Sequence, residues 1–196
     1  METPNFIESY QTEDYVLCDQ LIEKLDSFLD DGENALQNPD LIMRGDVDNG
    51  SAVNRKDTSI NFANVSNQEL NHLTRRVHSL LEIYAQKYAQ KYPGFSMVKC
   101  MSTDLKVQRT EPKGGFHQWH KEHGIQDGLA RTLVWTLYLN DIPEGEGETE
   151  FLEYGVKVSP KKGLLCFFPA GWTHTHRGNA VYSTRKYIAT GWFQLI

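Results

Sequence analysis

The chain has 196 residues, 39% of them apolar, with 15 glycines and three cysteines. That length suits one domain, and the composition excludes disordered and collagen-like classes. Twenty basic against 26 acidic residues give a formal charge of −6, which argues against broad binding to a phosphate backbone, so nucleic acid is not an expected partner.

Along the chain, the opening METPNFIESYQTED has neither a basic n-region nor an apolar h-region, so no secretory signal is expected. Residues 13–31 place Val16, Leu17, Leu21, Leu25, Phe28 and Leu29 at helical spacing, with Thr12 as the expected N-cap. Segment 31–62 is rich in Asp, Asn and Gly and reads as a surface loop or an active-site cover, with a strand at its end (SINF). Residues 67–91 form a second helix whose stripe is Leu70, Leu73, Val77, Leu80, Leu81, Tyr84 and Tyr88. Ser66 with Glu69 reads as a capping box, and Pro93-Gly94 stops the helix. After Pro93 the periodicity shortens. Strands are expected near 96–109, 116–122, 130–139, 149–158, 163–168, 173–177 and 185–195. Short strands separated by Gly, Pro and Asp-rich turns suggest a sandwich, jelly roll or barrel, with the two helices packed on one β core. No stretch approaches the 18 apolar residues of a membrane helix. Cys18, Cys100 and Cys166 are odd in number and far apart, which fits reduced thiols in a cytoplasmic protein.

Composition does not explain the histidines: five of the seven fall in two windows, 117–123 and 174–176. In GGFHQWHKEHG, His120 and Glu122 stand two apart, which on a strand puts both on one face. In PAGWTHTHRG, His174 and His176 are also two apart. Two imidazoles and a carboxylate with open positions make the facial triad of non-haem Fe(II) oxygenases. Each pair alone is more often a solvated or structural feature. Their joint occurrence in one β region is what raises the metal reading.

From about residue 97 the sequence resembles the 2-oxoglutarate- and Fe(II)-dependent oxygenases of the prolyl 4-hydroxylase type. The resemblance rests on ordered motifs: KVQRTEPKGGF leading into WHKE, RTLVWTLYLND, GEGETEFLEYGVKVSPKKGLLCFFPA, and HRGNAVYSTRKYIATGWF. It implies a double-stranded β-helix core of the jelly-roll or cupin-like kind over 96–196. Two or more helices would support that core, with 1–95 giving support and a substrate loop in one domain. It implies Fe(II) held by His120, Glu122 and His176, 2-oxoglutarate as cosubstrate, and dioxygen. The family's basic residue lies nine or ten positions after the distal histidine. From His176 that count reaches Arg185 or Lys186, of which Lys186 fits better; from His174 it reaches no cation. Lys186 would then grip the cosubstrate's far carboxylate, with Tyr138 and Thr190 donating hydrogen bonds to it. His174 is left as second shell or solvent-facing, and Trp119 as a core residue. The implied reaction is decarboxylation of 2-oxoglutarate to succinate with hydroxylation of a C–H bond. The substrate would be a prolyl or other amino-acid side chain of a peptide, or a small molecule.

One departure stands out: the family's aspartate is here Glu122. Two other readings stay open. In a cupin-type metal protein PAGWTH would supply His174 as ligand, although the spacing of His117, His120 and His123 fails the other cupin half. A non-catalytic binding protein on the same fold is the third reading. Arg44, Arg55 and Lys56 are candidates for substrate contact. His72 and His78 read as ordinary helix-face residues. Oligomeric state is not legible.

Overall fold

The computed structural model describes residues 5–30, 42–44, 55–126 and 128–196. Two antiparallel sheets face each other. The larger has the order β1 (Glu8–Gln11), β12 (Leu164–Pro169), β9 (Leu129–Tyr138), β14 (Lys186–Leu195), β6 (Lys106–Thr110), β4 (Thr58–Asn61) and β2 (Ile42–Arg44). β5 (Cys100–Ser102) also pairs with β14, and β8 (Ile125–Gln126) with β9. The smaller sheet runs β11 (Val156–Val158), β10 (Thr149–Phe151), β13 (His176–Gly178), β7 (Gly115–His120) and β3 (Arg55–Lys56). Two facing antiparallel sheets with helices outside the larger one form the expected jelly-roll core.

Strand alternation sorts the side chains into two layers. Leu133, Trp135 and Leu137 of β9, with Tyr187, Ala189 and Phe193 of β14, face the helices. There they bury Leu17, Leu21 and Leu25 of α1 (Tyr15–Asp30) and Leu70, Leu73, Val77 and Leu81 of α2 (Gln68–Lys91). Val134 and Tyr138 point the other way and pack between the sheets with Phe151, Val158, Cys166 and Phe168. Gly191 lets the layers close: a Cβ there would stand 2.8 Å from the Trp135 ring and 3.0 Å from the Asp104 carbonyl.

Several boundaries move. Asp14, not Thr12, caps α1, its Oδ1 accepting from the Leu17 amide at 3.0 Å; Thr12 is instead buried, and its amide donates to the Gly163 carbonyl. Asn67, not Ser66, caps α2, accepting from the Glu69 and Leu70 amides at 2.9 and 3.1 Å. Both positions hold a short acceptor, so composition alone does not choose between neighbours. Asn67→Ala is expected to cost about 1 kcal/mol and Ser66→Ala close to nothing; equal losses in a denaturant titration would refute the assignment.

The strand expected over 96–109 is two strands, β5 and β6, and that over 149–158 is the hairpin β10–β11. The strand expected over 173–177 begins as a 3-10 turn, Trp172–His174, with β13 following. β1, a short edge strand without an apolar pattern, was not expected at all. Of the expected 31–62 cover, 31–41 and 45–54 lie outside the described residues, and the described parts are strands β2, β3 and β4 and the start of a turn at Phe62. Cys18 and Cys166 are buried, and all three cysteines are free thiols. Among the described residues no helix is long and apolar enough to cross a membrane.

Candidate active site

The two histidine windows meet in the smaller sheet. β13 pairs with β7 so that His176 lies opposite His120, and their ring centroids are 4.3 Å apart. A sequence separation of more than fifty residues thus closes through a single strand pairing. Glu122 does not share a strand face with His120, because β7 ends at His120. It lies two residues past that end, and from there its Oε1 sits 3.3 Å from His120 Nε2 and 3.9 Å from His176 Nε2. One atom from each of the three side chains falls within 4.8 Å of the others. The extra methylene of glutamate fits this placement, since the carboxylate must reach back from beyond the strand.

The imidazoles are oriented from behind. His120 Nδ1 donates to the Gln118 carbonyl and His176 Nδ1 to the His174 carbonyl, both at 3.0 Å. A carbonyl only accepts, so both Nδ1 atoms carry a proton and both Nε2 atoms face Glu122. Phe116 stacks on His120 with centroids 3.8 Å apart, and Phe168 packs edge-on to His176 at 4.7 Å. Burial, then the neighbouring His120, pushes the His176 imidazole down to about 4. Burial alone would raise the Glu122 carboxyl. The hydrogen bond and charge of His120, then the charges of His176 and Lys106, bring it down to about 2 instead. Near pH 7 the set therefore holds a carboxylate and a neutral His176. Once His120 gives up the Nε2 proton that bonds Glu122, two Nε2 lone pairs and one carboxylate oxygen would suit a divalent first-row metal such as Fe(II).

The other oxygen of Glu122 is already engaged. Oε2 accepts from the Trp192 indole at 3.1 Å and from Arg131 Nη1 at 3.4 Å, and the Arg131 guanidinium lies 3.6 Å over the Trp192 ring. This leaves Oε1 as the oxygen directed at the imidazoles. Partners of this kind typically change metal affinity about 10–100-fold. Trp192→Phe keeps the ring and loses the N–H, so Fe(II) affinity in an anaerobic titration is expected to fall about tenfold. An affinity within twofold of wild type would rule out this support.

The triad opens into a cavity of about 530 Å³ between the sheets. Lys186 lies at its deep end, 8% exposed, with Nζ donating to the Gly147 carbonyl at 2.6 Å. Burial pushes the Lys186 ammonium down to about 8, against the pull of Glu148 and Asp57. Arg185 points outward to Glu111. Gly147 has φ 70°, and a Cβ there would crowd Val181 at 2.8 Å and the Lys186 side chain at 3.4 Å. Thr190 lines the cavity, but its hydroxyl donates to the Trp135 carbonyl at 2.7 Å. Tyr138 is fully buried beneath the cavity, and its hydroxyl donates to Thr149 Oγ1 at 2.7 Å. Thr149, which accepts that bond and lines the cavity, keeps its own proton to donate.

His174 joins none of this. It is 2% exposed, neither solvent-facing nor beside the triad; its ring pairs with the Asn5 carbonyl at 2.8 Å and with Thr173 Oγ1 at 3.0 Å. Only its backbone carbonyl serves the site. The cupin register, with His174 as ligand, therefore does not assemble. Trp119 is not a core residue: it is half-buried, with Arg177 stacked 4.4 Å over its ring. His123 is exposed, and neither it nor His117 belongs to the cluster. His72 is exposed on α2, while His78 meets the Asp104 carbonyl at 3.4 Å. Sequence reasoning missed Arg131 and Lys106 on the cavity wall, and treated Trp192 only as part of a closing motif. The inward parity of β6 and β14 is the signal that finds Lys106 and Trp192, whereas Arg131 shares the parity of Leu133 and Trp135 and turns inward only through an irregularity in the β9–β14 pairing.

No curated protein matches the chain. Residues 105–194 match the family described as the 2OG-Fe(II) oxygenase superfamily. The fold is similar to that of the viral collagen prolyl hydroxylase from Paramecium Bursaria Chlorella virus-1, solved as a 2OG complex, at TM-score 0.66 and 20% identity, covering 97% of each chain. It is similar to a Pseudomonas putida prolyl-4-hydroxylase at TM-score 0.68 and 17% identity, covering 97% of this chain and 93% of that one. A Trichoplax adhaerens prolyl hydroxylase, in complex with a hypoxia inducible factor oxygen degradation domain peptide fragment, gives TM-score 0.68 at 15% identity over 97% and 84%. The family match covers all three triad residues and Lys186, and the whole fold is similar to that of these three prolyl hydroxylases.

Proposed function

We propose that this protein is a 2OG-Fe(II) oxygenase of the prolyl hydroxylase kind that uses Fe(II), 2-oxoglutarate and dioxygen, and that it hydroxylates a C–H bond of a prolyl or other amino-acid unit while 2-oxoglutarate is decarboxylated to succinate. The observation that carries this is the convergence of His120, Glu122 and His176 at one level of a cavity whose deep end holds Lys186. In this reading the three side chains hold Fe(II) through Nε2, Oε1 and Nε2. When bound, the metal supplies the redox chemistry that activates dioxygen.

The chain's own residues do the rest. The Gln118 and His174 carbonyls fix the imidazole tautomers, and Trp192 and Arg131 hold the carboxylate. Lys186 pairs with the far carboxylate of 2-oxoglutarate in a site lined by Ile188 and Phe168 that keeps bulk water out. Thr149 takes the donor role first expected of Tyr138, and Tyr138 positions it. Thr190 holds the strand pair together through the Trp135 carbonyl. Residues 96–196 carry the chemistry and 1–95 give support and substrate selection within one domain. Peptides are one substrate class, as in the Trichoplax adhaerens complex, and free amino acids are the other. Free Cys18, Cys100 and Cys166 fit a reducing, cytoplasmic setting.

The test is twofold. Anaerobic addition of Fe(II) and 2-oxoglutarate should produce a visible charge-transfer band. In air the same mixture should release succinate above the iron-only background. A protein that gives neither band nor succinate is not acting as an oxygenase, and the proposal fails.

A further inference from the structure

The inward row of β6 is polar: Lys106, Gln108 and Thr110 all line the cavity. Register places Lys106 opposite Thr190 and Thr110 opposite Lys186. The two lysines are thus four residues apart along the strand pair, roughly 13 Å of strand rise. Trp192, whose indole reaches Glu122, follows Thr190 by two residues on the same face. Lys106 therefore stands at the level of the triad, and Lys186 lies deep below it.

Of the other cations on this wall, Lys121 is solvent-exposed and the two arginines are engaged. Arg55 makes a bidentate pair with Asp57 at 2.6 and 2.9 Å, and Arg131 binds Glu122 and stacks on Trp192. Asp104, also on the wall, accepts from Asn61 at 2.9 Å and forms no ion pair with Lys106. Among the described residues Lys106 makes no ion pair or hydrogen bond, and Gln108 makes no side-chain hydrogen bond. A half-buried ammonium without a hydrogen-bonded partner is costly, and burial does push it down from the usual lysine range. The carboxylate charge that it feels most nearly, apart from Asp57, is Glu122, which a divalent metal would take over.

We infer that Lys106, with Gln108 beside it, is the binding point for a carboxylate on the molecule that is hydroxylated. This rests on the oxygenase reading, in which Lys186 takes the far end of 2-oxoglutarate. The near carboxylate of that diacid would go to the metal, which leaves none for Lys106, so the second cation serves a second anion. The substrate class is accordingly an acidic one: a free amino acid through its α-carboxylate, or a peptide through an acidic residue beside the reacting one. The chain's net charge of −6 hides this, since the charges that face the substrate are not the average ones.

Calorimetric titrations of the anaerobic protein loaded with Fe(II) and 2-oxoglutarate test it, using two matched pairs of probes. The pairs are L-proline against L-prolinamide, and N-acetyl-glutamyl-prolinamide against its glutaminyl counterpart. At least one acid should bind tenfold or more tightly than its amide, and which pair discriminates tells free amino acid from peptide. In Lys106→Met that preference should drop below twofold while 2-oxoglutarate affinity stays within twofold. Lys106→Gln replaces it if Lys106→Met does not melt cooperatively. Three results overturn the assignment: no acid preferred by the wild type, a preference that survives the substitution, or a tenfold loss of 2-oxoglutarate binding. Wild type that fails to bind 2-oxoglutarate at all overturns the oxygenase reading instead, and the same probe pairs on metal-free protein then judge Lys106 alone.

Discussion

His176→Ala should leave a folded protein that no longer binds Fe(II) in an anaerobic titration. Partners that only support metal ligands are worth about 10–100-fold, so losing one of three donors should cost more than about 100-fold in affinity. Succinate formation and the charge-transfer band should disappear with it. His174→Ala supplies the contrast two residues away. Its ring is buried and makes two hydrogen bonds, so its loss should cost about 2–4 kcal/mol of stability. Fe(II) binding should survive, because the carbonyl that orients His176 belongs to the backbone. The reverse pattern, with metal lost in His174→Ala and kept in His176→Ala, would assign the ligand to the wrong strand position and sink the triad.

Lys186→Met is the second large effect. A buried charge-assisted hydrogen bond to a carboxylate is worth about 2–4 kcal/mol, which is about 30- to 1,000-fold in the KM for 2-oxoglutarate. Iron affinity without cosubstrate should be unchanged, since Lys186 touches none of the three donors. The same residue sets a pH dependence. With its ammonium pushed down to about 8, Lys186 is charged below that pH and neutral above it. Only the charged form attracts a carboxylate. Cosubstrate binding should therefore be full below pH 8 and weaken up to tenfold per unit above it, the midpoint drifting upward as bound carboxylate stabilises the ammonium. A KM for 2-oxoglutarate that is flat from pH 7 to 10, or that changes little in Lys186→Met, would remove Lys186 from the site.

Much of this was legible in the chain because strands alternate. Parity sends Arg185 and Lys186 to opposite faces of their strand, and the ordered motifs of the family resemblance single out His120, His176 and Lys186. The parts that were not legible are those that break regularity. Glu122 works from beyond the end of β7, and His174 sits in a 3-10 turn, so two apparent same-face pairs are nothing of the kind. Tyr138 has the right parity but lies one layer too deep, where its hydroxyl meets Thr149. Asp14 and Asn67 displaced Thr12 and Ser66 as caps because adjacent residues of similar chemistry compete, and only backbone geometry chooses. β1 carries no apolar rhythm; it is held by the backbone pairing of Glu8–Gln11 with β12.

The hydrogen bonds around His174 join two places that are far apart in the sequence. Its ring pairs with the carbonyl of Asn5, and its own carbonyl accepts from His176 Nδ1. Placement of Asn5 and orientation of the His176 imidazole thus share one residue, and any coupling between them would be reciprocal. Whatever factor the metal contributes to holding His176 in place, it also contributes to holding Asn5 in place. In the proposed oxygenase Asn5, far from the chemistry by residue number and just ahead of the first strand, would thereby be a handle on iron affinity.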